Sequence, residues 1–405
     1  MSLFDKISLS WLVPLTIVRA FFGFGSRMTD SSSLHWRQKL SISLLQAFRR
    51  TLNPRHTSSH SRQRLTGAAV KDYCCSRGLE YAAVTVSLPE FNSAHEVTRQ
   101  VPCPTLHIVT PVNAPANGPA LLYAHGGGYL NPLQAPGHMP FALQCASSCS
   151  ASRIIFVEYA LSSDHCYPAQ LIQMVATVKH LFHHGVAADD AERGLHPENL
   201  ILAGDSAGGH LIVSLLAHAV RPSPYAPPLP ELSGEKGKQL RAVALFSPWV
   251  AMKSTDASFT ANHESDYLSA QQVEIFVQLF EPSLTEVWAS PIEADDATDV
   301  WKTAFPPALA MAASGAPTRP VAKRTLVTSG AGETLFDSCV KFAAELLHAD
   351  MVVLDSDDKV ALAAGKDLVL TIAPDEAHVQ PVLDSALRYP YGWSMKAINQ
   401  FLKSV

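Results

Sequence analysis

A serine sits between glycines at Gly204-Asp205-Ser206-Ala207-Gly208-Gly209, with the apolar run LILA before it and HLIVSLLAHAV after it. This reads as strand, sharp turn and helix, and the glycines permit a strained turn that lifts the hydroxyl clear of the backbone. The helix that follows aims its N-terminal dipole at a developing negative charge. Ser206 is therefore the candidate nucleophile. A G-x-S-x-G pentapeptide also arises by chance in long chains, and the flanking strand and helix are what set this one apart. Upstream, His125-Gly126-Gly127-Gly128-Tyr129 follows directly on the run ALLYA. Three successive glycines let backbone amides turn into a pocket without side-chain interference. Gly127 and Gly128, with the amide of Ala207, are the candidate oxyanion donors, and losing one such donor costs about 3 kcal/mol of transition-state stabilisation. Gly126 shapes the turn, with His125 and Asp205 in support.

A hydroxyl is a weak nucleophile until a base takes its proton, so an acid and then a histidine are expected downstream of the serine. The run TLVT leads into Ser329-Gly330-Ala331-Gly332-Glu333, and LVLTI leads into Ala373-Pro374-Asp375-Glu376-Ala377-His378. Both groups lie just past the carboxyl end of an expected strand, where catalytic groups collect in open α/β sheets. Glu333 and His378 are the candidate acid and base. Most of the 17 histidines must be surface or structural groups, and position alone singles out His378. Asp337 is a rival acid one helical turn further on, where it would brace the loop, and Asp375 is a second rival.

These residues need a scaffold that brings strand ends together. From about Val101 onward, short apolar runs alternate with longer helical stretches, the pattern of βαβ units around a mostly parallel sheet. The expected core strands are 106–110, 120–124, 153–157, 200–203, 242–246, 325–328 and 368–372. Before them come an amphipathic helix from Leu34 to Leu52, ended by Asn53-Pro54, a helix from Gly67 to Cys75, and a strand from Tyr81 to Leu88. The stretches from Arg221 to Lys238 and from Asp355 to Asp367 read as loops, the second lying between a helix and the last strand. The division that follows is an N-terminal leader and helical cap with a first strand over 1–100, and a catalytic domain over 101–405.

With 47% hydrophobic and 17% charged residues and a formal charge of −5, the chain has the composition of an ordinary globular enzyme and no nucleic-acid character. Seven cysteines make an odd and scattered set, so free thiols are expected. None of the eight asparagines opens an Asn-x-Ser/Thr acceptor, which favours an intracellular life, cytoplasmic or at the endoplasmic reticulum membrane. Between Lys6 and Arg19 lie twelve uncharged residues, short of the roughly 20 that a spanning helix needs. If Arg19 snorkels, the apolar stretch runs over residues 7–26 and reaches spanning length. The other readings are a membrane-surface segment, a signal peptide without a convincing cleavage site, and a cap helix over the active site.

HGGGY and GDSAGG together resemble the hormone-sensitive-lipase group of the α/β-hydrolases, from about Leu121 to His378. Glu158-Tyr159-Ala160-Leu161 leading to Tyr167-Pro168-Ala169-Gln170 is similar to that group's segment before a helix, and Ser247-Pro248-Trp249 and Ala289-Ser290-Pro291 sit where relatives carry similar runs. Glu333-Thr334-Leu335-Phe336-Asp337 looks like the group's acid motif, with glutamate where aspartate is usual. The resemblance implies an α/β-hydrolase fold with a helical N-terminal cap, carboxylic ester hydrolysis, and no metal or organic cofactor. The apolar leader looks similar to fungal members, including steryl acetyl hydrolases and natural-product esterases.

The expected activity is hydrolysis of a short-chain ester, favourably acetyl, of a hydrophobic alcohol through Ser206, His378 and Glu333. The same triad serves acyl transfer, thioester or amide cleavage equally well. A small-molecule binder on a retired hydrolase scaffold would be expected to have lost a triad member, and none is lost. Halide or epoxide chemistry needs a carboxylate where Ser206 stands. A membrane-tethered interaction module leaves the ordered motifs without a purpose. The substrate and the oligomeric state are not written in any motif.

Overall fold

The computed structural model describes residues 3–51, 65–88, 101–186, 194–232, 237–307 and 319–405. The Asn53-Pro54 stop signal and part of the 221–238 stretch lie outside the described residues. Among the described residues, the helices α1 (Leu3–Met28), α2 (Trp36–Thr51) and α3 (Thr66–Arg77) come before the sheet, which the chain enters through β1 (Glu80–Thr85) and β2 (Thr105–Thr110). β3 (Ala120–Ala124), α4 (Ala135–Ser148), β4 (Arg153–Glu158) and α5 (Ala169–His184) follow, then β5 (Leu200–Asp205), α6 (Ala207–Val220) and β6 (Ala242–Phe246). Three helices, α7 (Ala257–Ala261), α8 (Ala270–Phe280) and α9 (Ala297–Ala304), precede β7 (Thr325–Gly330) and α10 (Phe336–Val340). The last part holds β8 (Asp350–Val353), α11 (Asp357–Ala364), β9 (Leu368–Ala373), α12 (Gln380–Ala386) and α13 (Trp393–Lys403).

The strands form one sheet in the order β1-β2-β4-β3-β5-β6-β7-β9-β8. β2 pairs antiparallel with both β1 and β4, and every other pairing is parallel. Parallel neighbours need a crossover of a dozen or more residues, and the helices between the apolar runs supply it. β3, β5 and β6 are buried along their whole length, which is why they read as continuous apolar runs rather than as an alternating pattern. Alternate residues still divide between the faces. Leu122 and Leu202 join the core under α5 and α6, while Leu121, Tyr123 and Ala203 join the core under α4 and α13. After β3 the chain adds β4 on one side and β5 on the other, so a crevice opens at the carboxyl ends of β3 and β5. The HGGG loop and Ser206 both emerge there.

The seven expected core strands all appear, each extended by at most two residues. The stretch from Asp355 to Asp367 differs from expectation. It is α11, whose N-cap Ser356 accepts a hydrogen bond from the Lys359 amide, and the element before it is β8 rather than a helix. β8 is an edge strand with only Val352 buried, so it carries too little apolar pattern to announce itself.

Pro14 lies inside α1, and no helix among the described residues is long and apolar enough to cross a membrane. The spanning reading of residues 7–26 is therefore set aside. α1 packs along α2, and a cavity of about 450 Å³ between them is lined by Val18, Phe22, Ser43, Gln46 and Ala47. The N-terminal segment is latched to the rest of the chain by polar contacts. Gln38 donates to Asp384 Oδ2 at 2.9 Å, Arg37 to the Arg388 carbonyl at 2.9 Å, and Gln46 to the Asp266 carbonyl at 2.6 Å.

Phe246 ends β6, is fully buried, and packs edge-on against Phe141 of α4 with ring centres 5.0 Å apart. Its carbonyl also holds the Ser206 amide, so its place in the core fixes the serine turn. Phe246→Ala is expected to cost about 3–5 kcal/mol through the cavity it opens. Urea unfolding measures this, and an unchanged midpoint would show that the end of β6 is not tightly packed.

Candidate active site

At the end of β5 the backbone of Ser206 adopts φ 50° and ψ −117°, a conformation that side-chain-bearing residues rarely take and that costs roughly 1–3 kcal/mol. Neighbouring groups hold it there. The Ser206 amide donates to Phe246 O at 3.0 Å, and its carbonyl accepts from the amides of His210 at 2.9 Å and Trp249 at 3.0 Å. Two residues on, a Cβ at Gly208 would stand 2.0 Å from the Ala124 carbonyl oxygen, so only glycine lets α6 start this close to β3. The turn presents the serine hydroxyl to the loops after β7 and β9.

Those loops bring the candidate acid and base to it. His378 Nε2 lies 3.0 Å from Ser206 Oγ, and His378 Nδ1 lies 3.1 Å from Glu333 Oε2. Glu333 is wholly buried, and its other oxygen accepts the hydroxyl of Ser329. With Nδ1–H donating to the carboxylate, Nε2 is left as the acceptor facing the serine hydroxyl. The rival carboxylates are engaged elsewhere. Asp337 Oδ2 accepts the Ser258 amide at 2.8 Å near the start of α7, and Asp375 Oδ2 accepts both the amide and the hydroxyl of Ser33 at 2.8 Å.

In the HGGG loop, Gly127 and Gly128 take φ values of +122° and +63°. The Gly127 carbonyl is fixed by the amides of Leu130 and Asn131 and by the Asn131 side chain, at 3.0–3.1 Å. Among the described residues, neither the Gly127 nor the Gly128 amide donates to a backbone carbonyl. His125 anchors the base of the loop. Its Nδ1 donates to Gly126 O at 2.7 Å, its Nε2 accepts from Thr66 Oγ1 at 3.1 Å, and its carbonyl accepts from Tyr159 at 2.6 Å. Burial pushes this imidazole down to about 4, so it is neutral at physiological pH. His210 is pushed down to about 4 by burial as well, and it bridges the Tyr129 hydroxyl at 2.7 Å to the Ala289 carbonyl at 3.0 Å. Asp205, beside the nucleophile, accepts from Tyr123 at 2.6 Å and faces His138 Nε2 at 3.4 Å. Its burial acts to raise the carboxyl, but His138 and Tyr123 outweigh this and hold it below its ordinary range.

Several groups at the site carry no sequence motif. Thr66 comes from α3, far from any catalytic run, yet it supports both His125 and the Leu133 amide. Asp266, on the connection between α7 and α8, accepts the amides of Thr334 and His378 and so touches the loops that carry Glu333 and His378. Glu376, two residues before His378, is buried and pairs with the Ser394 amide. Burial pushes its carboxyl up to about 7, against the hydrogen bonds from the start of α13. Asp384 is raised too, by burial and then by the Glu376 charge. Among the described residues, no group of three or more His, Cys, Asp or Glu is arranged to hold a metal ion, and all seven cysteines are free.

Residues 121–346 match a family model described as the alpha/beta hydrolase fold. Carboxylesterase NlhH of Mycobacterium tuberculosis is 29% identical over 171 residues, which cover 42% of this chain and 46% of that protein. An acetyl-hydrolase of Streptomyces hygroscopicus is 30% identical over 153 residues, covering 38% and 43% respectively. This chain spans about half the length of the curated relatives it matches. Among solved structures, an esterase from the bacterial hormone-sensitive lipase family superposes with a TM-score of 0.57 at 19% identity, covering 92% of this chain and 98% of that one. Carboxyl esterase 2 of the fungus Tuber melanosporum gives 0.54 at 19% identity, covering 80% and 87%.

The raised Glu376 carboxyl makes a signed prediction. Its contribution to stability is present in full below the unfolded value of 4.5 and is lost as pH rises through about 7. Glu376→Gln keeps the acceptor for Ser394 and removes the titration. The variant should therefore exceed the parent in stability at pH 8 by on the order of 2 kcal/mol, with the gap closing toward pH 4.5. Urea unfolding across that range checks it, and a gap that does not vary with pH refutes it.

Proposed function

Because this chain belongs to the alpha/beta hydrolase fold family, we propose that it is a serine carboxylic ester hydrolase whose triad is Ser206, His378 and Glu333. The observation that carries this reading is the hydrogen-bonded series from Ser206 Oγ to His378 at 3.0 Å and from His378 to Glu333 at 3.1 Å. His378 takes the Ser206 proton as the oxygen attacks the ester carbonyl, and the buried Glu333 carboxylate holds the imidazole in the required tautomer and stabilises its cation. The amides of Gly127, Gly128 and Ala207 receive the oxyanion of the tetrahedral intermediate. His378 then gives its proton to the departing alcohol, leaving an acyl-enzyme. Water attacks that ester with the same imidazole as base, and no cofactor enters the cycle.

A short acyl group, acetyl foremost, suits the surroundings. The Phe276 ring packs so closely on Gly128 that a Cβ there would come within 2.4 Å of it. Tyr129, Trp249 and Phe280, all buried, back Phe276 with aromatic packing, and an apolar setting of this kind suits a hydrophobic ester. The name of the Streptomyces relative supports the acetyl assignment. Free thiols throughout fit a reducing, intracellular compartment.

One further observation favours contact with a lipid surface: α1 leaves Phe21 and Phe22 more than two-thirds exposed, with Ile17 beside them. Aromatic and aliphatic side chains on one helix can seat in the headgroup region without crossing the bilayer. Co-sedimentation with phosphatidylcholine vesicles should be lost when Phe21 and Phe22 are both changed to serine, and equal sedimentation would overturn the lipid contact.

Hydrolysis of p-nitrophenyl esters from acetate to long acyl chains tests the activity. Acetate and butyrate should turn over fastest, and Ser206→Ala should lower kcat by about a millionfold, as removal of a triad nucleophile does. Equal turnover by parent and variant would rule out Ser206 as the nucleophile.

A further inference from the structure

We propose that Asp266 is a second carboxylate of the catalytic base, positioning His378 and sharing with Glu333 the stabilisation of the imidazolium; this rests on the esterase reading above. Asp266 is buried and accepts four hydrogen bonds. Oδ2 receives the amide and hydroxyl of Thr334 at 2.8 and 3.0 Å. Oδ1 receives the amides of Tyr267 at 2.7 Å and His378 at 3.2 Å. Thr334 directly follows Glu333, so one carboxylate clips the acid loop to the histidine loop. The clip has its own anchor, because Gln46 of α2 donates to the Asp266 carbonyl at 2.6 Å.

A neutral acceptor does not replace it. All four partners donate, and they approach both oxygens, so an asparagine would turn an NH2 group toward two of them. The remaining question is charge. Facing the imidazole are Glu333 from the loop after β7, the Tyr267 ring from the connection before α8 and Ser206 from the turn after β5, while Asp266 meets the His378 backbone amide and acts on the ring through its charge. Arg49 of α2 sits 4.7 Å above the Tyr267 ring and balances the local negative charge without approaching the imidazole directly. Burial raises the Asp266 carboxyl, and the His378 charge and the amides of Thr334 and His378 oppose that rise. When His378 takes the serine proton, a cation forms where water is scarce, and a second anion beside it lowers the barrier.

The test is Asp266→Asn in the full chain, with Ser206→Ala as the control and p-nitrophenyl acetate as the substrate. The expected result is a fall in kcat of about tenfold with KM within about twofold, since a hydrogen bond to a charged group is lost. The acidic limb of kcat/KM, which reports neutral His378, should move to lower pH by about one unit, because removing a nearby anion makes the imidazole a weaker base. A fall in kcat with the limb unmoved assigns Asp266 a structural role only and overturns the proposal, as does unchanged activity. If Asp266→Asn does not fold, Thr334→Val removes one donor while leaving every charge in place. It should lower kcat by about threefold at unchanged KM, and no change overturns the clip. If parent and Ser206→Ala prove equally inert toward esters, the esterase reading fails on its own. NMR titration of His378 in parent and Asp266→Asn then decides the inference, a lower imidazole pKa in the variant supporting it and an equal one overturning it.

Discussion

A carboxylate with no exposed surface and, among the described residues, no lysine or arginine paired with it is a costly thing for a protein to hold, and Glu333 is such a group. It is tolerable because both of its oxygens are engaged, one by the Ser329 hydroxyl and the other by the His378 imidazole. The partnership is mutual. The carboxylate needs the Nδ1 proton as a donor, and that fixes the tautomer which leaves Nε2 free to face Ser206. Displacing the imidazole would strand a buried charge, so the geometry that the proposed catalysis needs is also the one that burial enforces.

The same logic runs through the HGGG loop. His125 and His210 are buried and neutral, and each is fixed at both ring nitrogens: His125 by the Gly126 carbonyl and by Thr66 from α3, His210 by the Tyr129 hydroxyl and the Ala289 carbonyl. Such histidines act as two-ended struts that need no charge. They hold the positive-φ glycines of the HGGG loop against the end of β5, where a flexible triplet would otherwise disperse its amides.

What the sequence made legible follows from locality. The strand ends and the Gly-x-Ser-x-Gly turn are set by residues adjacent in the chain, and the close approach of Gly208 to the Ala124 carbonyl leaves no substitute for glycine. The pairs that matter for Glu333 and His378 were legible through chain order alone. Thr66 and Asp266 were not, because their roles depend on partners 59 and 112 residues away that only the folded chain brings near. β8 escaped notice because an edge strand with one inward residue has no period to detect. The charged start of α11 reads as a loop until Ser356 is seen capping it.

The N-terminal helices join the site by the same kind of contact. α2 reaches the connection before α8 through Gln46, the α8 side chain Gln272 through Arg49 at 3.0 Å, and the buried carboxyl at Asp384 through Gln38. Ser33, between α1 and α2, holds Asp375 three residues before His378. These are hydrogen bonds to buried or half-buried acceptors, and each is lost if the helices lift away. Lifting these helices therefore costs more than their apolar contact with the sheet domain, and that cost falls on the loops that carry Glu333 and His378. Helices fastened in this way tie their own docking to the order of the loops that carry Glu333 and His378.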